Sequence, residues 1–312
     1  MNTIMNKKRI IIIISIAVLF LSIGILLSVI FVEKNNPHPN IVRPGNDIKL
    51  ENITFSKQIK QPVDTTKKVY KNIVDLQSSL DLASQCLNYD LLKEDYKKLP
   101  GNETIRKYVI PTGEVYVEED TGYWSYTSTA YDSLIQSEEK AIVSDNTLLK
   151  KTRDFIETYN ICQNDTYNLN VTETTTGGWN SDEQILAKDV YVFPNINDTP
   201  VYGVYRFVLS YDMDGEIIAI KSFFNPAAVY QNVPLKKSAE LESMIKTGEC
   251  SINAESSMEK VDIKSIDIAY YADSSPNEKG EFYIYPVYVL NADGVTIDGQ
   301  SKSFDIFVDA IA

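Results

Sequence analysis

Residues 201–224 read VYGVYRFVLSYDMDGEIIAIKSFF. Aromatic and β-branched residues crowd two segments, Val201 to Tyr211 and Glu216 to Phe224, and Asp212, Met213, Asp214 and Gly215 join them. Gly215 can take the positive φ that a tight hairpin turn asks for, so the stretch predicts two antiparallel strands. Working outward, Leu169 to Thr176 and Ile185 to Phe193 have the same strand composition. Before them, Ser144 stands as an N-cap to a helix whose apolar face is Leu148, Thr152, Phe155, Ile156 and Tyr159. That helix is expected to lie on the sheet.

The same order recurs downstream. Ser238 opens a helix with Leu241, Met244 and Ile245 on one face, and Gly248 closes it. Strands are expected at Val261 to Tyr271, Phe282 to Leu290 and Ser303 to Ile311. The fold class read from this pattern is α+β, with two tandem units at 141–232 and 233–312, each a helix packed on an antiparallel β-sheet. The two share an order of elements rather than a repeated sequence.

Upstream, residues 49–140 read as a helical and hairpin region. From Asp64 to Leu87 the apolar positions Val69, Ile73, Leu76, Leu80, Ala83 and Leu87 alternate spacings of four and three. They predict one core-facing helix, with a dimerising stalk, and hence a homodimer, as the alternative. A short charged helical piece from Tyr89 ends at Leu99 to Asn102. Lys107 to Val117 and Tyr123 to Thr129 then read as strands about the acidic turn Glu118 to Gly122.

The N-terminus carries a different signal. The run from Ile10 to Val32 is interrupted only by Ser15, Ser22, Gly24 and Ser28, and about 20 apolar residues suffice for a helix to cross a bilayer. Lys7, Lys8 and Arg9 precede it, which places residues 1–9 in the cytoplasm as a short tail. No small-residue cleavage pattern follows, so the expectation is an uncleaved, single-pass transmembrane helix at 10–32. Residues 33–48, with three prolines, make a tether. The lipid bilayer, through Ile10 to Val32, is the first expected partner. The chain is then a cell-membrane protein with its C-terminal domain extracellular.

Composition removes several functions. Forty-three acids against 30 Lys and Arg give a net charge of −13, unsuited to nucleic acid, whose affinity comes from basic side chains on phosphates. The single histidine, His38, sits between two prolines in the tether, which takes away imidazole-based triads, His-ligated zinc and HExxH peptidases. Cys86, Cys162 and Cys250 form no CxxC pair, and three thiols leave at least one unpaired. The acidic turns Glu118 to Gly122 and Asp212 to Gly215 lack the acid spacing of a calcium loop. Phosphate-binding glycine loops and the GxSxG elbow are absent too. No catalytic, cofactor-binding or metal-ligating residue is assigned, no cofactor is expected, and the chain reads as a protein that is not an enzyme.

Several segments together carry a family resemblance: the Ser144 to Ile161 helix, YDMDGEIIAI within Tyr205 to Ile220, VPLKKSAELESMIKTGE at 233–249, VDIKSIDIAYY at 261–271, YIYPVYVLNADG at 283–294 and FDIFVDAI at 304–311. Over about residues 140–312 the chain resembles YycH/YycI-type and PepSY-like extracytoplasmic proteins of Gram-positive bacteria. The resemblance implies a membrane-anchored, non-enzymatic binding or regulatory role, with a sensor kinase or a peptidase as protein partner, and it transfers no site residue. The alternatives are a structural component of an envelope or secretion assembly, VirB8-like in build, and a carboxylate-based hydrolase. The hydrolase would need a cleft with two carboxylates about 5 to 10 Å apart.

Overall fold

The computed structural model describes residues 39, 49–56, 59, 62–131, 143–162, 166–176, 184–254, 256–273, 276 and 281–312. The chain divides into Met1–His38 and Pro39–Ala312, and every described residue belongs to the second unit. The tail expected at 1–9, the span expected at 10–32 and His38 lie outside the described residues. Among those described, no helix is long and apolar enough to cross a membrane.

The opening hairpin forms. β10 (Phe207–Tyr211) and β11 (Ile217–Ser222) pair antiparallel with Leu209 opposite Ile220. Asp212 Oδ1 closes the turn by accepting from the amides of Asp214 at 3.0 Å and Glu216 at 2.8 Å. β8 (Gln184–Ile196) pairs with β10, and β7 (Tyr167–Thr176) with β8. On the other side β6 (Trp124–Ser128) pairs with β11, followed outward by β5 (Gly113–Glu118), β4 (Asn102–Ile110) and β3 (Lys97–Leu99). All these pairings are antiparallel. α1 (Leu76–Leu87) and α2 (Asp145–Thr158) share a core with this sheet, in which Leu80, Ala83, Leu148 and Ile156 meet Val115, Val190, Leu209 and Ile220.

The second sheet is built on β14 (Met258–Ala272) and β15 (Tyr283–Thr296), with Ile266 opposite Leu290. The far edge of β15 is shared. β16 (Ser301–Asp309) takes Val287 to Val295, and β2 (Thr66–Asn72) takes Tyr283 and Ile284. β12 (Ala227–Pro234) pairs with β2 and ends the sheet, while β13 (Ser251–Asn253) adds to β16. β1 (Ile53–Phe55) and β9 (Thr199–Gly203) run parallel to β14 on its remaining edge. α3 (Ser238–Thr247) places Leu241 and Ile245 in one core with Val261, Ile263, Ile306 and Val308. Gly248, at φ +74°, closes this helix as the sequence predicts.

The α+β expectation of two tandem helix-on-sheet units is therefore corrected. The described residues form sixteen strands and only three α-helices, and strand pairing runs unbroken from β12 to β3. The joint is β9. Asn197 and Asp198, both at positive φ, turn β8 tightly back onto β9. β9 then leaves its hairpin partner and pairs at Tyr202 and Gly203 with Tyr271 and Ala272 of β14. The expected single strand Val201 to Tyr211 is thus split between two sheets. Gly203 makes the break, because its φ is +88° and a Cβ there would stand 2.2 Å from the Ala272 carbonyl oxygen.

Two further readings are corrected. The helix expected from Asp64 is strand β2 as far as Asn72, and the helix begins only at Leu76, where Asp75 caps it by accepting from the amides of Gln77 and Ser78. Val69 and Tyr70 are both buried, one on each face of the sheet, so β2 lacks the alternation that would have marked it. The expected strand Lys107 to Val117 is broken at Pro111 and Thr112 into β4 and β5, as proline favours a turn position and cannot donate to a ladder.

Candidate functional site

The acidic turns noted in the sequence are engaged by their own chain. Glu118 accepts from the Thr121 hydroxyl at 2.7 Å, and Glu119 pairs with Lys98 at 2.7 Å and Arg106 at 2.5 Å. Those two partners hold the Glu119 carboxyl below the usual carboxylate range, Lys98 most strongly. Cys86, Cys162 and Cys250 are all buried, and none is joined in a disulfide. Among the described residues no group of three or more His, Cys, Asp or Glu is placed to hold a metal ion.

Two concavities compete as candidate sites. The larger, about 590 Å³, lies on the polar face of β1, β14, β15 and β16 and contains Asp262 and Asp293. One ammonium reaches both: Lys264 Nζ is 2.6 Å from Asp262 Oδ2 and 3.6 Å from Asp293 Oδ2. Ser303 also donates to Asp293, at 2.6 Å. Two carboxylates do meet in a hollow here, as a hydrolase would need. A general acid, however, must sit in an apolar setting that keeps it protonated. Lys264 instead holds Asp262 below the usual carboxylate range, and both Asp side chains are partly exposed, at 37% and 56%. The arrangement is a charge-paired sheet surface.

The second hollow, about 320 Å³, opens beside the edge strand β12. Its walls include Tyr70, Ile196, Tyr205 and Phe224, and its rim includes Lys68 and Val229. The wall hydroxyls are already engaged, since Tyr70 accepts from Asn197 Nδ2 at 2.7 Å and Tyr205 donates to the Asn225 carbonyl at 3.1 Å. An edge-on contact between the Tyr70 and Tyr270 rings, 5.3 Å between centroids, stiffens the floor. Lys67, Lys71 and Lys236 nearby are each neutralised, by Asp64, Glu281 and Asp309. Among the described residues Lys68 makes no ion pair.

β12 ends the pairing path opposite β3. Natural sheets blunt their edges with short strands, lysines or prolines. β3, at the opposite end of the pairing path, obeys, with three residues and Lys97 and Lys98 among them. β12 instead carries Ala228, Val229 and Tyr230 outward, with Val229 53% and Tyr230 47% exposed. A bulge between Val229 and Gln231 turns Tyr230 toward the Tyr283 ring, 4.9 Å away, while Val229 stays opposite Tyr70. Sequence reasoning assigned no site here. The signal was present as AAVYQNV between Pro226 and Pro234, a short β-prone run bounded by two strand breakers.

No family model matches the chain, and no curated protein does. Among solved structures, an uncharacterized protein from Eubacterium rectale aligns with a TM-score of 0.40 at 10% identity, over 85% of this chain and 88% of that one. The Bacillus megaterium YpeB C-terminal domain aligns with a TM-score of 0.35 at 12% identity, over 78% of this chain and 95% of that one. Both are distant structural neighbours, too remote to carry an argument about function.

Proposed function

We propose that this chain is a non-enzymatic, extracytoplasmic binding protein that regulates a membrane-held partner, a sensor kinase or a peptidase, by protein contact. The observation that carries the proposal is the β12 edge, where a long strand ends a sheet with two half-exposed apolar side chains, Val229 and Tyr230. Two half-exposed apolar side chains at a sheet edge are costly to leave in water and favour recruitment of a partner. The absence of histidine beyond residue 38 and the clamping of Asp262 and Asp293 by Lys264 support a binding role over catalysis. The apolar run Ile10 to Val32 is the proposed attachment to the bilayer.

The test is site-specific crosslinking in cells. A photoreactive residue at position 230 is expected to capture a sensor kinase or a peptidase, and Val229→Arg to abolish the adduct. The same residue at position 109, exposed on the other sheet at 66%, is expected to capture neither. Equal capture at both positions, or adducts with lipid alone, would overturn the proposal.

A further inference from the structure

We infer that a third hollow, between α1 and the connector from β11 to β12, holds a guanidinium borne on an apolar stem, as in arginine. The hollow is about 290 Å³, near the lower limit of small-molecule pockets, and so suits a single side chain. Phe224 and Pro226 border both it and the hollow beside β12, but it needs nothing of the β12 edge. Two nearly sealed polar side chains line it. Asn225, 2% exposed, commits its Nδ2 to the Thr121 carbonyl at 2.6 Å, and its Oδ1 accepts no hydrogen bond among the described residues. Ser79, 7% exposed, likewise has no partner for its hydroxyl among the described residues. Neither oxygen is sealed from solvent, so each is reachable from the hollow. The two converge, since a Cβ built on Gly122 would stand 2.9 Å from Asn225 Oδ1 and 3.0 Å from Ser79 Oγ. Polar atoms buried this deeply are ordinarily hydrogen-bonded, and this pair lacks a donor.

Charge selects the donor. Asp75 and Asp81 border the hollow, and among the described residues no Lys, Arg or His lines it. Asp75, the N-cap of α1, accepts from Ser78 and Gln77, and Ser78 above all holds its carboxyl below the usual carboxylate range. Asp81 accepts from Gln77 Nε2 through Oδ1 at 3.1 Å, and its Oδ2 has no partner among the described residues. Negative charge beside unpaired acceptors favours a cationic donor. The planar fork of a guanidinium, with five N–H groups, serves acceptors on α1 and on the connector together, whereas an ammonium is a compact, strongly hydrated point charge. Trp124 and Tyr159 also line the hollow and give the apolar stem a surface to lie along.

Trp124 and Trp179 are the only tryptophans in the chain, so the full chain carrying Trp179→Phe, in detergent micelles, reports on the hollow through Trp124 alone. N-acetyl-L-arginine amide is expected to change the Trp124 emission saturably at millimolar concentration. N-acetyl-L-citrulline amide, alike in shape but uncharged, is expected to bind about tenfold more weakly, as for a lost hydrogen bond to a charged group. N-acetyl-L-lysine amide is expected to fall between the two. Asp81→Asn is expected to weaken the arginine derivative by about tenfold, and Ser79→Ala by several-fold, with unchanged melting curves showing that the fold is intact. Free L-arginine separates the sources of the group. Binding as tight as that of the blocked derivative supports the inference with a free amino acid as ligand, and loss of binding supports it with an arginine side chain of a polypeptide. Equal affinity for the arginine and citrulline derivatives, tighter binding of the lysine derivative, or an affinity that neither variant moves would overturn the inference. So would the absence of a saturable response, the result expected of a hollow that holds water alone.

Discussion

The Thr152 and Tyr211 hydroxyls lie 2.8 Å apart with both side chains sealed from solvent, tying α2 to β10 across the first core. Neither residue stands out in the sequence, since Thr152 reads as a filler on an apolar helix face and Tyr211 as a strand aromatic. Burial pushes the Tyr211 phenol up to about 12, against which the Thr152 hydroxyl works. Thr152→Val keeps the shape and strands the Tyr211 hydroxyl, for an expected loss of about 1–3 kcal/mol. Thr152→Val with Tyr211→Phe removes both partners and is expected to cost less than Thr152→Val alone. Urea denaturation of the two variants checks this, and a double variant worse than the single one would refute the pairing.

Gly203→Ala tests the joint between the sheets. A left-handed Ala costs roughly 1–2 kcal/mol, and its methyl would stand 2.2 Å from the Ala272 carbonyl oxygen, so β9 has to leave β14. Hydrogen exchange is expected to accelerate at Tyr202, Gly203 and Tyr270 to Ala272 while β4 and β5 stay protected. Uniform loss of protection would show that β9 is no local joint.

Leu241 anchors α3 and is fully buried beside Ile245 and Ile306. Leu241→Ala leaves a cavity there and is expected to cost about 2–5 kcal/mol, read from the denaturant midpoint. A change near zero would mean that α3 adds little to the second core.

Two carboxylates are expected to show opposite pH dependences. Burial raises the Asp305 carboxyl above its ordinary 3.8, so the native state holds this proton more tightly than the unfolded chain. Its contribution is favourable below 3.8 and is lost as pH rises through the native value. Asp305→Asn should therefore be more stable than the parent at pH 7 and match it near pH 3. Glu119 runs the other way. Lys98 and Arg106 lower its carboxyl from 4.5, so its contribution is present above 4.5 and fades as pH falls through the native value. Glu119→Gln should be less stable at pH 7 and converge with the parent in acid. Thermal melts of both variants across this range decide the signs.

What the sequence made legible were features carried by local chemistry. Ser144 caps α2, Gly248 ends α3, and Asp212 with Gly215 turns β10 into β11, because each depends on backbone groups within a few residues. What stayed hidden depends on distant partners. Val69 belongs to a heptad-like series in the sequence, yet its environment is set by residues such as Val233, Tyr283 and Ile311, none near it in the chain. The β12 hollow is assembled from β2, the β8–β9 turn and the Tyr205 and Phe224 loops, and no short window contains it.

The placement of β1 and β2 also sets a timetable. Asn52 donates its side-chain amide to the Glu259 carbonyl across 207 positions of sequence. At roughly 5–20 residues per second, β1 emerges from the ribosome about 10 to 40 s before its partner strand. Through that interval the apolar residues of 50–72 have no sheet to join, whereas β10 and β11 meet almost as soon as they are made. The second sheet is thus completed late, and a chain stalled before β14 would present its early strands to chaperones and proteases.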